Sequence, residues 1–147
     1  ILSSDGALAP LLIIPGGGSR KPLPLGGTAD ESHFIQLTGS EVFKHAVREM
    51  EAITNTLLEK NGLAVEDIDL FVPHQANVRI IDALAKRVGV PPEKVFVNID
   101  RYGNTSAASV PIALSDALQQ NAIQPGMRIL ITTFGAGFTW GSCILQF

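Results

Sequence analysis

The chain has few of the residues that most often advertise function. Among 147 residues there are one cysteine, one tryptophan, one tyrosine and two methionines, and only 17% are charged. A single cysteine, Cys143, excludes an internal disulfide framework and fits a reducing compartment, so a cytoplasmic setting is expected. Cys143 lies in the strand-like run Ser142-Cys143-Ile144-Leu145. With no helix start or cation beside it, the thiol reads as a small buried apolar group rather than a nucleophile. The net charge of −3 and the lack of a basic run remove any general pull towards nucleic acid. No apolar run reaches the length of a membrane span, and no membrane partner is expected. The first residues, Ile1-Leu2-Ser3-Ser4, lack both a methionine and a signal-peptide layout, so the chain reads as an interior piece of a longer polypeptide. Gly16-Gly17-Gly18 is followed by neither Lys-Ser/Thr at phosphate-loop spacing nor a GxGxxG run, which leaves a flexible loop from Pro15 to Gly27.

What is present is apolar. Hydrophobic residues make up 46%, a surplus for a small free-standing domain. Such a surplus suits parallel strands buried on both faces, together with a face to be covered by another domain. The length suits one core, or half of a larger one.

Periodicity predicts the elements. Ala7 to Ile14 reads as a strand despite Pro10. A long helix from Glu41 to about Lys60, capped by Ser40, turns Val42, Phe43, Ala46, Val47, Met50, Ile53, Leu57 and Leu58 inward and ends at Asn61-Gly62. A strand follows over Ile68 to Val72. A second helix runs from about Asn77 to Val88, with Val78, Ile81, Leu84, Ala85 and Val88 inward, and Gly89 stops it. A third strand is expected over Val95 to Ile99. The stretch Thr105 to Gln120 is apolar nearly all round and reads as a buried helix with Pro111 near its start. Met127 to Phe134 and Phe138 to Phe147 form a hairpin around Gly135-Ala136-Gly137. Alternating strands and helices ending in two adjacent strands make an α/β layer with an antiparallel edge. His33 and His45 read as surface histidines paired with neighbouring carboxylates, Glu31 for the first and Glu41 or Glu49 for the second.

Two polar residues stand where strands should end. His74 follows Leu70-Phe71-Val72 in Pro73-His74-Gln75-Ala76-Asn77, and Asn104 lies in Gly103-Asn104-Thr105-Ser106-Ala107-Ala108-Ser109. Ligands and chemistry collect at the carboxyl ends of strands in α/β sheets. A neutral imidazole and a carboxamide supply two donors without an acid. That pair suits an oxyanion derived from a thioester better than a Ser-His-Asp hydrolytic relay. Taken singly, His74 suits a satisfied histidine at a helix start, and Asn104 a turn residue tolerating the left-handed region.

These two segments and Phe134-Gly135-Ala136-Gly137-Phe138-Thr139-Trp140-Gly141 resemble, in order and spacing, the C-terminal half of the β-ketoacyl-acyl-carrier-protein synthase III family. The resemblance implies a thiolase-like α/β fold. Residues 1–147 are then a C-terminal βαβαβαββ half with a mixed sheet and a terminal antiparallel hairpin. It implies a Cys-His-Asn triad in which His74 and Asn104 are catalytic, and a cysteine in an N-terminal half absent from this sequence. It assigns a backbone oxyanion donor to Ala136, contact with the pantetheine arm of CoA to Asn77, carrier-protein docking to Arg79 and site lining to Phe134. For Arg79 a solvated helix cation, and for Phe134 a core aromatic, explain the residue as well. Many relatives carry glycine at the position of Ala136, so the donor survives there without strain if φ is negative. The implied reaction is the decarboxylative condensation that initiates fatty-acid synthesis, with acyl-CoA and malonyl-acyl carrier protein as substrates and no cofactor or metal. The implied partners are acyl carrier protein, acyl-CoA, the N-terminal half and a second copy in a homodimer. The isolated segment is expected to be inactive. A type III polyketide-like synthase and a non-catalytic carrier-protein-binding subunit are the alternatives.

Overall fold

A computed structural model describes residues 1–147. In chain order the elements are β1 (Leu2–Ser4), β2 (Leu12–Ile13), β3 (Gln36–Leu37), α1 (Gly39–Asn61), β4 (Leu70–Pro73), α2 (Val78–Val88), α3 (Ile99–Tyr102), α4 (Ser109–Gln119), β5 (Arg128–Gly135) and β6 (Thr139–Gln146). The main sheet has the order β1-β6-β5-β4. Strand β4 runs parallel to β5, and the other pairs are antiparallel. Strands β2 and β3 form a separate small ribbon. No helix is long and apolar enough to cross a membrane.

The three- and four-residue spacing along α1 buries Val42, Ala46, Val47, Met50, Ile53, Leu57 and Leu58 on one side. Phe43 lies off that stripe and is exposed, while Thr54 takes a buried place. Ser40 is already inside the helix; Thr38 is the N-cap, without a side-chain bond. Gly62 closes α1 at φ 64°, and its N–H reaches the carbonyls of Leu58 and Glu59. Helix α2 has only 11 residues, too few to persist alone in water. It is held by Leu84, Ala85 and Val88, buried against α1 and Phe71, and by Ile81, which is also fully buried. Each large side chain of that set contributes about 1.5–3 kcal/mol. Val78 was expected in this set, but it faces solvent in the first turn.

The β4 strand is buried on both faces, as a parallel strand between helix layers must be. Phe71 and Leu130 face α1 and α2. Leu70, Val72, Ile129 and Ile131 face the other way, onto Ala113 and Ala117 of α4. The small residues let α4 approach the sheet closely. Expected to be buried all round, α4 is covered on one side only, and Leu118 is exposed. On β6, Trp140, Ser142 and Ile144 pair with Phe134, Thr132 and Leu130 and share their face. Gly141, Cys143 and Leu145 therefore point to the α4 side, where α4 covers β4 and β5 but leaves β6 bare. Cys143 is consequently exposed, contrary to expectation, beside an 88% exposed Leu2.

Two predicted strands do not form. Over Ala7 to Ile14, a tight helical turn spans Gly6–Leu11, started by Asp5, whose carboxylate accepts from the Ala7 N–H at 2.9 Å. Only Leu12–Ile13 remains extended enough to pair. Over Val95 to Ile99, a single bridge joins Val95 to Phe71. Beyond it the Gln75 side chain takes the place of a ladder, donating to the Phe96 carbonyl and accepting from the Asn98 N–H. The two histidines read as surface residues also find other partners, and His33 is largely buried, its side chain only 13% exposed. His33 pairs with Asp30 at 3.0 Å, and His45 meets Arg48 at 3.0 Å and the edge of Phe138.

Candidate functional site

Parallel pairing of β4 with β5 brings their carboxyl ends to one edge of the sheet. His74 is the first residue past β4, and its N–H donates to Thr132 of β5 at 2.9 Å. The Gly135-Ala136-Gly137 segment leaves the same edge at the end of β5. Ala136 is exposed and does not have positive φ; that conformation falls on Gly137. Its backbone is therefore free of left-handed strain.

Burial holds the pKa of His74 below the ordinary imidazole value, because the charged form loses its hydration there. At neutral pH the ring is uncharged. Its Nδ1 lies 2.5 Å from Ser109 Oγ, at the first residue of α4. The same hydroxyl oxygen accepts from the Gln75 N–H at 3.3 Å. Gln75 is fully buried and ties three places together: its amide donates to Pro73 and Phe96 carbonyls, and its carbonyl accepts from Asn98.

Asn104 is exposed, and its Oδ1 accepts from the Ser106 N–H at 3.0 Å. This turn commits the carbonyl and leaves the NH2 group as the available donor. Asn104 itself does not take positive φ, which falls on Gly103 (φ 67°) and Ser106 (φ 54°) in the same segment. Asp116 of α4 anchors the residues just before Asn104 by accepting from Asn98 Nδ2 at 2.9 Å, Tyr102 Oη at 3.1 Å and the Arg101 guanidinium. The Asn98 bond chiefly, then those of Tyr102 and Arg101, hold the Asp116 carboxyl below its usual range against the opposing effect of burial. No hydrogen bond joins His74 to Asn104, and no bond within the protein uses His74 Nε2 or the Asn104 amide nitrogen. Both atoms are open to a ligand.

Asn77 caps α2, its Oδ1 accepting from the Arg79 N–H at 2.9 Å. With Ala76, Val78, Val97, Ile99 and Asp100 it lines an open groove of about 570 Å³. Arg79 is exposed on the first turn of α2 and makes no ion pair. Phe134 is half-buried, edge-on to Phe138 at 4.8 Å and stacked with Trp140 at 6.5 Å, so packing accounts for much of it. Ser109, Gln75 and Asp116 escaped the sequence reading. Ser109 stands in the quoted Asn104 motif, but its contact with His74 spans 35 positions and has no local signature.

A family model described as 3-oxoacyl-[acyl-carrier-protein (ACP)] synthase III C terminal matches residues 58–147. The beta-ketoacyl-[acyl-carrier-protein] synthase III of Oleidesulfovibrio alaskensis is 54% identical over 146 residues, covering 99% of this chain and 44% of the relative. That of Symbiobacterium thermophilum is 50% identical over 146 residues, with coverage of 99% and 44%. Among solved structures, the 3-oxoacyl-[acyl-carrier-protein] synthase III of Aquifex aeolicus superposes with a TM-score of 0.86 at 44% identity, covering all of this chain and 43% of that one. The Thermus thermophilus synthase III gives 0.87 at 46% identity, covering 100% and 44%. The chain thus spans less than half the length of the curated relatives it matches. Its mixed sheet between helices is a thiolase-like α/β fold. By sequence and by fold, the chain belongs to the β-ketoacyl-acyl-carrier-protein synthase III family, whose C-terminal portion it matches.

Proposed function

We propose that the polypeptide carrying this chain joins an acyl group to malonyl-acyl carrier protein by decarboxylative Claisen condensation, the first condensation of fatty-acid synthesis. An acyl group passes from CoA to a cysteine thiolate of the N-terminal half, releasing the CoA thiol. The carbon–carboxylate bond of the malonyl thioester then breaks. Carbon dioxide leaves, and the electron pair passes into an enolate. His74 Nε2–H and the Asn104 NH2 group donate to the enolate oxygen. The enolate carbon attacks the acyl thioester, whose tetrahedral oxyanion takes a backbone N–H at Ala136. Collapse expels the cysteine thiolate and leaves a β-ketoacyl group on the carrier protein.

The observation that supports this reading best is His74, a burial-neutralised imidazole at a strand end with its Nε2 unengaged. A charged or fully paired histidine would not serve as a neutral donor. The open groove beside Asn77 suits the pantetheine arm, and the unpaired Arg79 suits an acidic carrier protein. Phe134 lines the site near the catalytic pair. The substrates are acyl-CoA and malonyl-carrier protein, with no resident cofactor or metal, and the working protein is a cytoplasmic homodimer.

The test uses the full-length polypeptide. His74→Ala and Asn104→Ala are each expected to slow malonyl decarboxylation by about 10²–10³-fold, the usual cost of an oxyanion donor. Acylation of the upstream cysteine should continue. Loss of acylation with normal decarboxylation overturns the assignment.

A further inference from the structure

We infer that Ser109 is a positioning residue for His74, donating its hydroxyl proton to Nδ1 and so holding the neutral ring with its proton on Nε2. The inference rests on the function proposed above and names the group that makes the donor available. It follows from counting hydrogens at three atoms, Ser109 Oγ, the Gln75 N and His74 Nδ1, of which the first two belong to buried residues. Ser109 is 2% exposed, and its Oγ has two neighbours within bonding distance, the Gln75 N–H and His74 Nδ1. The Gln75 N–H is a fixed donor, so Oγ accepts there. The hydroxyl proton then has one possible acceptor in the protein, Nδ1. If Nδ1 carried a proton instead, Oγ would accept twice and its own hydrogen would be buried without a partner. With Oγ–H donating to Nδ1, all three atoms are satisfied and the ring proton sits on Nε2.

The same count opposes protonation. An imidazolium needs Nδ1–H, which again strands the serine hydrogen. No charged side chain bonds His74 from β4, α2 or α4; burial lowers its pKa, and the hydrogen count at Ser109 Oγ acts in the same direction.

Ser109→Ala and Ser109→Thr in the full-length polypeptide test the idea, read by ¹⁵N-imidazole NMR and by malonyl decarboxylation. In the parent, Nδ1 of His74 should give a single unprotonated resonance. In Ser109→Ala, an Nδ1–H population should appear and the acid limb of the decarboxylation profile should move to higher pH. Its kcat should fall about tenfold through loss of ring orientation, with KM nearly unchanged because Ser109 touches no substrate. Ser109→Thr should restore tautomer, limb and kcat. A Ser109→Ala protein with one unprotonated Nδ1 resonance and an unmoved acid limb overturns the inference. If His74→Ala also decarboxylates normally, the functional reading fails instead, and the NMR arm still decides the role of Ser109.

Discussion

Replacing Gln75 by leucine keeps the volume of a fully buried side chain and removes its polar atoms. Three hydrogen bonds disappear: to the Pro73 carbonyl at 2.8 Å, to the Phe96 carbonyl at 3.2 Å and from the Asn98 N–H at 3.0 Å. A buried group left without its partner costs about 1–3 kcal/mol, and adjacent losses are not additive. Leucine recovers about 1–2 kcal/mol by its more favourable transfer from water. The net loss should be about 3–5 kcal/mol, or roughly 10 °C in Tm for a domain of this size. Urea unfolding followed by circular dichroism, with the slope checked for constancy, measures it. The sign can be tested separately with Gln75→Glu. A carboxylate there would face two carbonyl oxygens, so its folded pKa must rise above the ordinary glutamate value of about 4.3. A raised folded pKa means stability is fully present below the unfolded value and is lost as pH rises through the folded one. The deficit of Gln75→Glu against the parent should therefore shrink on acidification. If Gln75→Leu unfolds within about 1 kcal/mol of the parent, the side chain does not replace the missing ladder and the account of residues 95–98 is wrong.

Two further outcomes follow from the same geometry. The folded pKa of Asp116 is depressed, so its contribution is complete above the unfolded carboxylate value and fades as pH falls through the folded one; Asp116→Asn should flatten that acid-side loss in a pH series of Tm values, and an unchanged slope would dismiss the anchor. Arg79→Glu should raise KM for malonyl-carrier protein well beyond any change for malonyl-CoA, since like charge repels an acidic partner; equal changes would remove the docking role.

Much of the framework was legible because it depends on neighbours within a turn or two. The α1 and α2 stripes, the αL stops at Gly62 and Gly89, and the hairpin around Gly135-Ala136-Gly137 all arise from local periodicity and backbone freedom. The Ala7–Ile14 error has an equally local cause: an Asp5 cap and Pro10 favoured a tight turn that hydrophobicity alone concealed. Val95–Ile99 failed for a different reason, since a glutamine from another segment satisfies the backbone and makes a ladder unnecessary.

Local composition dictated the helices, the position of His74 just past a buried strand, and the polar turn carrying Asn104. Burial and partnership lay beyond its reach, because they depend on groups far apart along the chain. Cys143 is exposed since α4 stops short of β6, not because of anything in its own run of residues. Ser109, Gln75 and Asp116 are ordinary polar residues until folding sets them against His74, Asn98 and one another's segments. There, away from water, each hydrogen bond has few substitutes, and that scarcity gives single atoms their importance.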